Sequence, residues 1–466
     1  MAHGAPAGSR VEREFRGIAT LFPIAPVRKP AILVIVTRNG SFRVPREHPL
    51  RMALVNEAHA RPFLSLVAPI RASHLAMTSG EGGAAADRAH LVALCERYGV
   101  GHPPEGANHY VAAFDGFSLK WERHTEFCTW TFLKPGAFVE PFAEPAIAAA
   151  PPEWVETIPG ERLVAAHVAM IERTQSAPGP DLMAKWLHLD FLAGSEVAGG
   201  AACVWTDFRV HADGFGRIVL HDRGLGERRG GRLTQRLLEI ETYRTMALLA
   251  LPVARQLGPL IARADAELLS IMNAMGTATS IVEQRGLLDR LTTVSADIER
   301  ATGAAEYRFG AARAYGDLVD KRIAEMREGR IEGLQTYREF MDRRFVPALR
   351  TCEATAERLG QMSRRLARAG ALLRTRVDIA VEAQNQDLLA SMDRRAQLQL
   401  RLQETVEGLS VAAITYYVVG LCGYLFRALE VAGLRIDRDI ATGIAIPVVA
   451  GLVWYGLRRY RRALTN

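Results

Sequence analysis

The sequence predicts a mixed α/β domain, then a long helical stalk, then two transmembrane helices at the C-terminal end. Three observations carry that prediction. Strand-like runs separated by turn residues fill the first half of the chain and stop near residue 225. From there the apolar period changes to 3.6 residues and stays helical. Near the end, two runs without a charge hold 19 and 18 residues: GLSVAAITYYVVGLCGYLF at 408–426 and IATGIAIPVVAGLVWYGL at 440–457. At about 1.5 Å per residue, either run makes a helix of about 27 Å, enough to cross a hydrocarbon core.

Composition sets the bounds. The 466 residues carry a net charge of +7, in a chain long enough for two or three domains. Only five of the 58 basic residues are lysine, and much of the excess lies in the C-terminal third. An anionic membrane surface accounts for it. No zinc-finger spacing or arginine-rich arm is present, so no nucleic-acid partner is expected. The five cysteines are scattered, without a CxxC, which fits a reducing compartment. The opening MAHGAPAGSRVEREFRG is polar and then charged, unlike a signal peptide.

The divisions follow the pattern. Residues 1–27 read as a flexible tail and 28–225 as a cytoplasmic α/β domain. Residues 226–407 read as a helical stalk domain, and 408–466 as a two-span hairpin with a basic tail. AILVIVT at 31–37 reads as a strand, and residues 48–63 have a helical centre stopped by Pro62. RASHLAMTS is a strand candidate, and residues 85–99 form an amphipathic helix with Gly99 as its C-cap. Strands follow across 109–135 with a tight turn at Asp115-Gly116, then at 162–171 and within 199–224. The glycine-rich GLGERRGG at 224–231 lacks the P-loop lysine and is read as a break between sheet and helices. Helices are predicted from 232 to 275, interrupted by Pro252, and over 287–298, 308–328 and 331–369, with no strand after 225.

Residues 375–408 contain no proline. Val377, Val381, Leu388 and Met392 form a narrow stripe, resumed by Leu398, Leu402, Val406 and Leu409. Such a stripe suits a stalk packed against other stalks, and nothing breaks it before the first span. Arg394, Arg395 and Arg401 precede that span, and Arg458, Arg459, Arg461 and Arg462 follow the second. In the connector, Arg427, Arg435 and Arg438 are offset by Glu430, Asp437 and Asp439. The positive-inside bias therefore favours both termini in the cytoplasm, with the connector outside.

Four segments carry a family resemblance: REFRG near the start, HPLR and NEAHARPF from His48, RLLEIETYRTMALLALPVAR from Arg236, and VEGLSVAAITYY entering the first span. They resemble domain of unknown function 3422, an uncharacterised bacterial family, over nearly the whole chain. The layout also resembles the CorA-type divalent-cation transporters, through a stalk-like segment at 372–404 that runs into the first of two C-terminal spans. That resemblance implies a funnel-shaped homo-oligomer, a pentamer in that family, with the first span lining a pore. It also implies Mg²⁺ or another divalent cation as ligand. The Gly-Met-Asn of those transporters is missing: Gly423 is followed by Tyr424 and Leu425, and the connector has no Asn. The element that recognises a hydrated cation there is therefore absent here.

Candidate residues follow from this reading. Ser410, Tyr417, Gly420 and Tyr424 share one face of the first span and are pore-lining candidates; the same positions suit close helix packing. Glu430, Asp437 and Asp439 offer an outer ring of charge. Asp378, Glu382 and Asp387 on the stalk offer carboxylates for a hydrated cation, or a solvated face. Glu57, His59 and Arg61 cluster at a helix end, where a structural role outweighs a catalytic one. The twelve histidines show no His-Glu-x-x-His or comparable spacing, and no enzyme is predicted. Two functions remain: an oligomeric cation channel or transporter, or a membrane-tethered cytoplasmic sensor or scaffold that moves no ion.

Overall fold

The computed structural model describes residues 33–37, 40–44, 47–52, 54–55, 63–78, 83–431 and 437–464. Its helices are α1 (Gly83–Tyr98), α2 (Pro152–Glu156), α3 (Pro180–Trp186), α4 (Glu227–Leu248), α5 (Ala250–Thr277), α6 (Ile281–Met326), α7 (Tyr337–Arg344), α8 (Val346–Val431) and α9 (Arg438–Leu464). The strands are β1 (Leu33–Thr37), β2 (Gly40–Val44), β3 (Ile70–Thr78), β4 (His109–Phe114), β5 (Phe117–Arg123), β6 (Phe127–Pro135), β7 (Glu161–Ile171), β8 (Ala193–Val197), β9 (Ala202–Thr206), β10 (Gly216–Asp222) and β11 (Gly329–Arg330). The chain divides into two compact units: residues 1–249 with 312–349, and residues 250–311 with 350–466.

The first unit is built on a nine-stranded sheet of order β11-β8-β9-β10-β7-β3-β6-β5-β4. Its pairs are antiparallel except β7 with β10, which run parallel with Ala166 opposite Gly216. β1 and β2 form a separate antiparallel pair. The predicted turn at Asp115-Gly116 joins β4 to β5, and Gly116 takes the positive φ of 82° that a tight hairpin needs. Both faces of the sheet are covered, so β3 is buried along nearly its whole length. On one face, Leu91 and Leu94 of α1 pack with Trp121, Trp130 and Trp154. On the other, Leu233, Leu237, Ile240 and Met246 of α4 pack with Val168, Met170, Ile218 and Leu220, joined by Val319 and Ile323 of α6. Each such burial is worth roughly 1.5–3 kcal/mol. α3 places Met183 and Trp186 against Cys203, Trp205 and Val219.

GLGERRGG does leave the sheet, and its last glycines have a second use. Gly230 and Gly231 lie inside α4 against the backbone of Leu64 and Leu66; a Cβ on Gly231 would stand 1.6 Å from the Leu64 carbonyl oxygen. Only a bare Cα admits that approach.

Several expectations are corrected. A strand does occur after residue 225: β11 pairs with β8, Gly329 opposite Glu196. Two residues carry no period to read, and the partner lies over a hundred positions away. The helix expected from 331 starts at Tyr337. Gly333 turns the chain with φ 79°, and Thr336 closes a capping box. Its hydroxyl accepts from the Glu339 amide (3.1 Å), and the Glu339 carboxylate accepts from the Thr336 amide (3.0 Å). The interruption at Pro252 falls at Leu249, between α4 and α5. Pro252 then sits in the first turn of α5, where its missing N–H leaves no bond unmade. The unit boundaries also differ from a division at 225: α4, the end of α6 and α7 belong to the α/β unit.

In the second unit, Ile261, Leu268 and Ile271 of α5, Leu287, Leu291 and Ile298 of α6, and Leu359, Met362, Leu366 and Leu373 of α8 form a three-helix core. α8 has 86 residues and continues unbroken through the predicted stalk and first span. From Glu382 to Val406 every residue but Ser391 is exposed. Among the described residues, three helical stretches are long and apolar enough to cross a membrane: Glu227–Thr277, Tyr337–Leu429 and Asp439–Gly456. The sequence reading named the last two. In the first, 28 % of the apolar window is buried inside the protein, against 6 % in each of the others. Leu237, Ile240 and Met246 on α4 are already spent on the sheet, and Ile261, Leu268 and Ile271 on the helical core.

Candidate functional site

The first unit holds a cavity of about 320 Å³ between the sheet and α4. Alternation along β5 points Leu119 and Trp121 into the apolar core and Lys120 and Glu122 into this cavity. Lys120 Nζ stands 3.0 Å from Glu122 Oε1 and donates to Gln235 Oε1 at 3.3 Å. Gln235 Nε2 donates in turn to Glu239 (2.7 Å), which also accepts from Arg322. His74 is buried and shares hydrogen bonds with Thr131 (2.8 Å) and Thr242 (3.1 Å). Burial, with the charges of Lys120 and His124 adding, pulls its pKa down to about 3, so it is a neutral imidazole. Two hydroxyls on the lining, Thr129 Oγ1 and Thr234 Oγ1, are buried and have no hydrogen-bond partner. The lining therefore mixes both charges with free polar atoms, the pattern of a site for a small polar molecule.

A second constellation joins the segment after α3 to the loop between β9 and β10. His188, Asp207 and His211 bring one ligand atom each within 4.8 Å of one another. Asp207 has a fully buried side chain at the end of β9. Its Oδ2 accepts from His188 N, His188 Nδ1 and His211 Nε2, each at 2.9 Å. Its Oδ1 accepts from the Arg209 amide at 3.1 Å. Burial would raise this carboxyl, but these hydrogen bonds and the neighbouring His211 hold it below the ordinary carboxylate range. Burial lowers the pKa of His211, against the pull of Asp207. The donor set of two imidazoles and a carboxylate can coordinate a divalent cation.

The residues singled out from sequence fall elsewhere. On the first span, half-buried positions recur at Val411, Thr415, Val418, Cys422 and Phe426, one face of α8. Tyr417, Gly420 and Tyr424 are exposed on the opposite side, and Ser410, half-buried, donates its hydroxyl to the Val406 carbonyl at 2.8 Å. Asp437 caps α9: its Oδ1 accepts from the amides of Asp439 (3.1 Å) and Ile440 (3.3 Å). Asp439 is exposed, and Glu430 lies in the last turn of α8. Asp378, Glu382 and Asp387 are all exposed on α8. Glu382 follows Asp378 by one turn, whereas Asp387 stands about 180° from Asp378 at 100° per residue, so one chain does not gather them. Glu57, His59 and Arg61 lie outside the described residues. Neither His188, Asp207 and His211 nor the cavity was read from sequence. The only local signal was the spacing of Asp207 and His211 in TDFRVH, with the third member 19 positions upstream.

Taken together, these features define a mixed α/β protein extended by long helices, two of them C-terminal candidates for crossing a membrane. The family described as protein of unknown function (DUF3422) matches residues 46–464, and the chain belongs to that family. Among curated proteins, none matches the chain.

Proposed function

We propose that this is a homo-oligomeric membrane protein of CorA-like layout, with the first spans gathered round an axis along which cations pass. One observation carries the reading. On α8, Tyr417, Gly420 and Tyr424 lie opposite the face half-buried within the chain, and Ser410, itself half-buried, stands at the edge of their side. Tyr417, Gly420 and Tyr424 are thus the positions offered to other copies. Their exposure fits: Tyr417 and Tyr424 are 71 % and 73 % exposed in one chain. Apolar Leu388, Met392, Leu398 and Leu402 continue the uncovered surface down the stalk, as copies packed round an axis require. The arginine flanks support cytoplasmic termini at a bacterial inner membrane.

The test is ion flux through the purified, sized oligomer in sealed liposomes, over a panel of mono- and divalent cations. Flux is expected in the wild type, and its loss in Gly420→Leu with the oligomer intact. Absence of flux for every ion, from a correctly inserted oligomer, overturns the pore. The polar cavity with its two free threonine hydroxyls then favours the second reading, a membrane-tethered sensor of a small polar ligand.

A further inference from the structure

The structure assigns His188, Asp207 and His211 as a binding site for a borderline divalent transition metal, of which Zn²⁺ is the natural probe. The inference is independent of whether the spans conduct. Three features of the site support it.

The first is convergence. Two imidazole nitrogens from different segments aim at one carboxylate oxygen, both at 2.9 Å. A metal takes the place of the two N–H protons, each neutral imidazole passing to its other tautomer, and sits between the three atoms. Tetrahedral zinc holds N and O ligands at about 2.0–2.1 Å, which spaces ligand atoms about 3.3 Å apart. The two nitrogen–oxygen separations need to open by only about 0.4 Å, the three ligand atoms already lie within 4.8 Å of one another, and the His188 side chain is 53 % exposed, which leaves it room to move.

The second is preorganisation. Asp207 is immobilised by the amides of His188 and Arg209. The loop holding His211 is set by its own hydrogen bonds: His211 N donates to the Phe215 carbonyl (2.9 Å) and Gly214 N to the His211 carbonyl (2.8 Å). Two neighbouring arginines are engaged elsewhere: Arg217 donates to Asp213 and the Trp186 carbonyl, both at 3.1 Å, and the Arg209 guanidinium lies over the Phe191 ring. Supporting contacts of this kind orient ligands before the ion arrives.

The third is chemistry. Imidazole donors suit zinc, nickel, copper and iron, whereas Mg²⁺ prefers an all-oxygen shell with retained waters. Three protein ligands leave a fourth position, and the exposed flank of His188 opens it to solvent, the arrangement of sites that keep a bound water. The ion would also clamp the segment after α3 to the β9–β10 loop.

The experiment uses the full chain, purified in detergent without a polyhistidine tag and stripped with a chelator. Zn²⁺ is titrated against a competing chromophoric chelator, and Co²⁺ absorption reports the coordination geometry. We expect one Zn²⁺ per chain and a four-coordinate Co²⁺ spectrum. His188→Ala, at a half-exposed side chain, should weaken Zn²⁺ by more than about 100-fold. His102→Ala, an exposed histidine elsewhere, should leave it unchanged. Equal affinity in wild type and His188→Ala overturns the assignment, as does no binding by a natively folded wild type. Mg²⁺ displacing Zn²⁺ at equal concentration overturns the metal class. His211→Ala, if folded, should match His188→Ala; if it does not fold, His188→Ala decides alone.

Discussion

At the scale of single residues, two glycines in a row behave against the usual rule. Replacing glycine by alanine inside a helix normally gains about 1 kcal/mol. At Gly231 the new Cβ would meet the Leu64 carbonyl at 1.6 Å, and backbone has no rotamer in which to escape. Gly231→Ala is therefore expected to lose about 3 kcal/mol or more. A lowered urea midpoint, followed by the fluorescence of buried Trp121 and Trp130, checks it. A raised midpoint would mean that residues 64–66 do not rest on α4. Gly230→Ala, with its nearest contact at 3.0 Å, should cost less. The sequence showed these glycines only as punctuation. The reason for them is a neighbour some 165 positions upstream, which no local pattern encodes.

At the scale of elements, legibility followed length and period. β3, β7 and the strands around Asp115-Gly116 were readable because alternation and turn chemistry are local. Gly99, with φ 66°, ends α1 as its spacing predicted. The unbroken α8 was readable from the absence of any breaker between stalk and span. β11 was not, since a two-residue strand exists only through its partner. The stalk's exposed leucines lead to a prediction that belongs to this scale. Burying one such side chain between copies is worth roughly 1.5–3 kcal/mol. For the proposed oligomer, Leu398→Glu with Leu402→Glu should therefore shift the detergent-solubilised protein towards monomer by at least tenfold. Light scattering after size exclusion reads the shift. An unaltered mass would show that copies meet elsewhere.

For the whole molecule, stability should fall with acid earlier than carboxylates alone would dictate. His74 and His167 are buried and neutral, with pKa lowered to about 3 and about 4, in both cases by burial first. Unfolded, each returns to the ordinary 6.5 and binds a proton that the native state refuses. Their contribution is thus complete above pH 6.5 and is lost as pH falls below it. The slope is about 1.4 kcal/mol per pH unit for each histidine, down to about pH 4 for His167 and pH 3 for His74. Urea midpoints between pH 7 and pH 5 test this; half the slope would mean that one of them is hydrated in solution, and a flat profile that both are. The candidate sites were the least legible feature because they exist only at this scale. The cavity draws on β3, β5, β6, α4 and α6, and the His-Asp-His cluster on two loops whose meeting depends on the sheet order.

α8 has one further consequence. Its last fully buried residue in the helical core is Leu373, and the uncharged span begins at Gly408. The interval is about 50 Å of straight helix at 1.5 Å per residue. That rod acts as a gauge, fixing the clearance between the helical core and whatever surface the apolar end enters. Adding or removing a heptad changes the clearance by about 10 Å and keeps the stripe in register, while a single inserted residue turns one end against the other by about 100°.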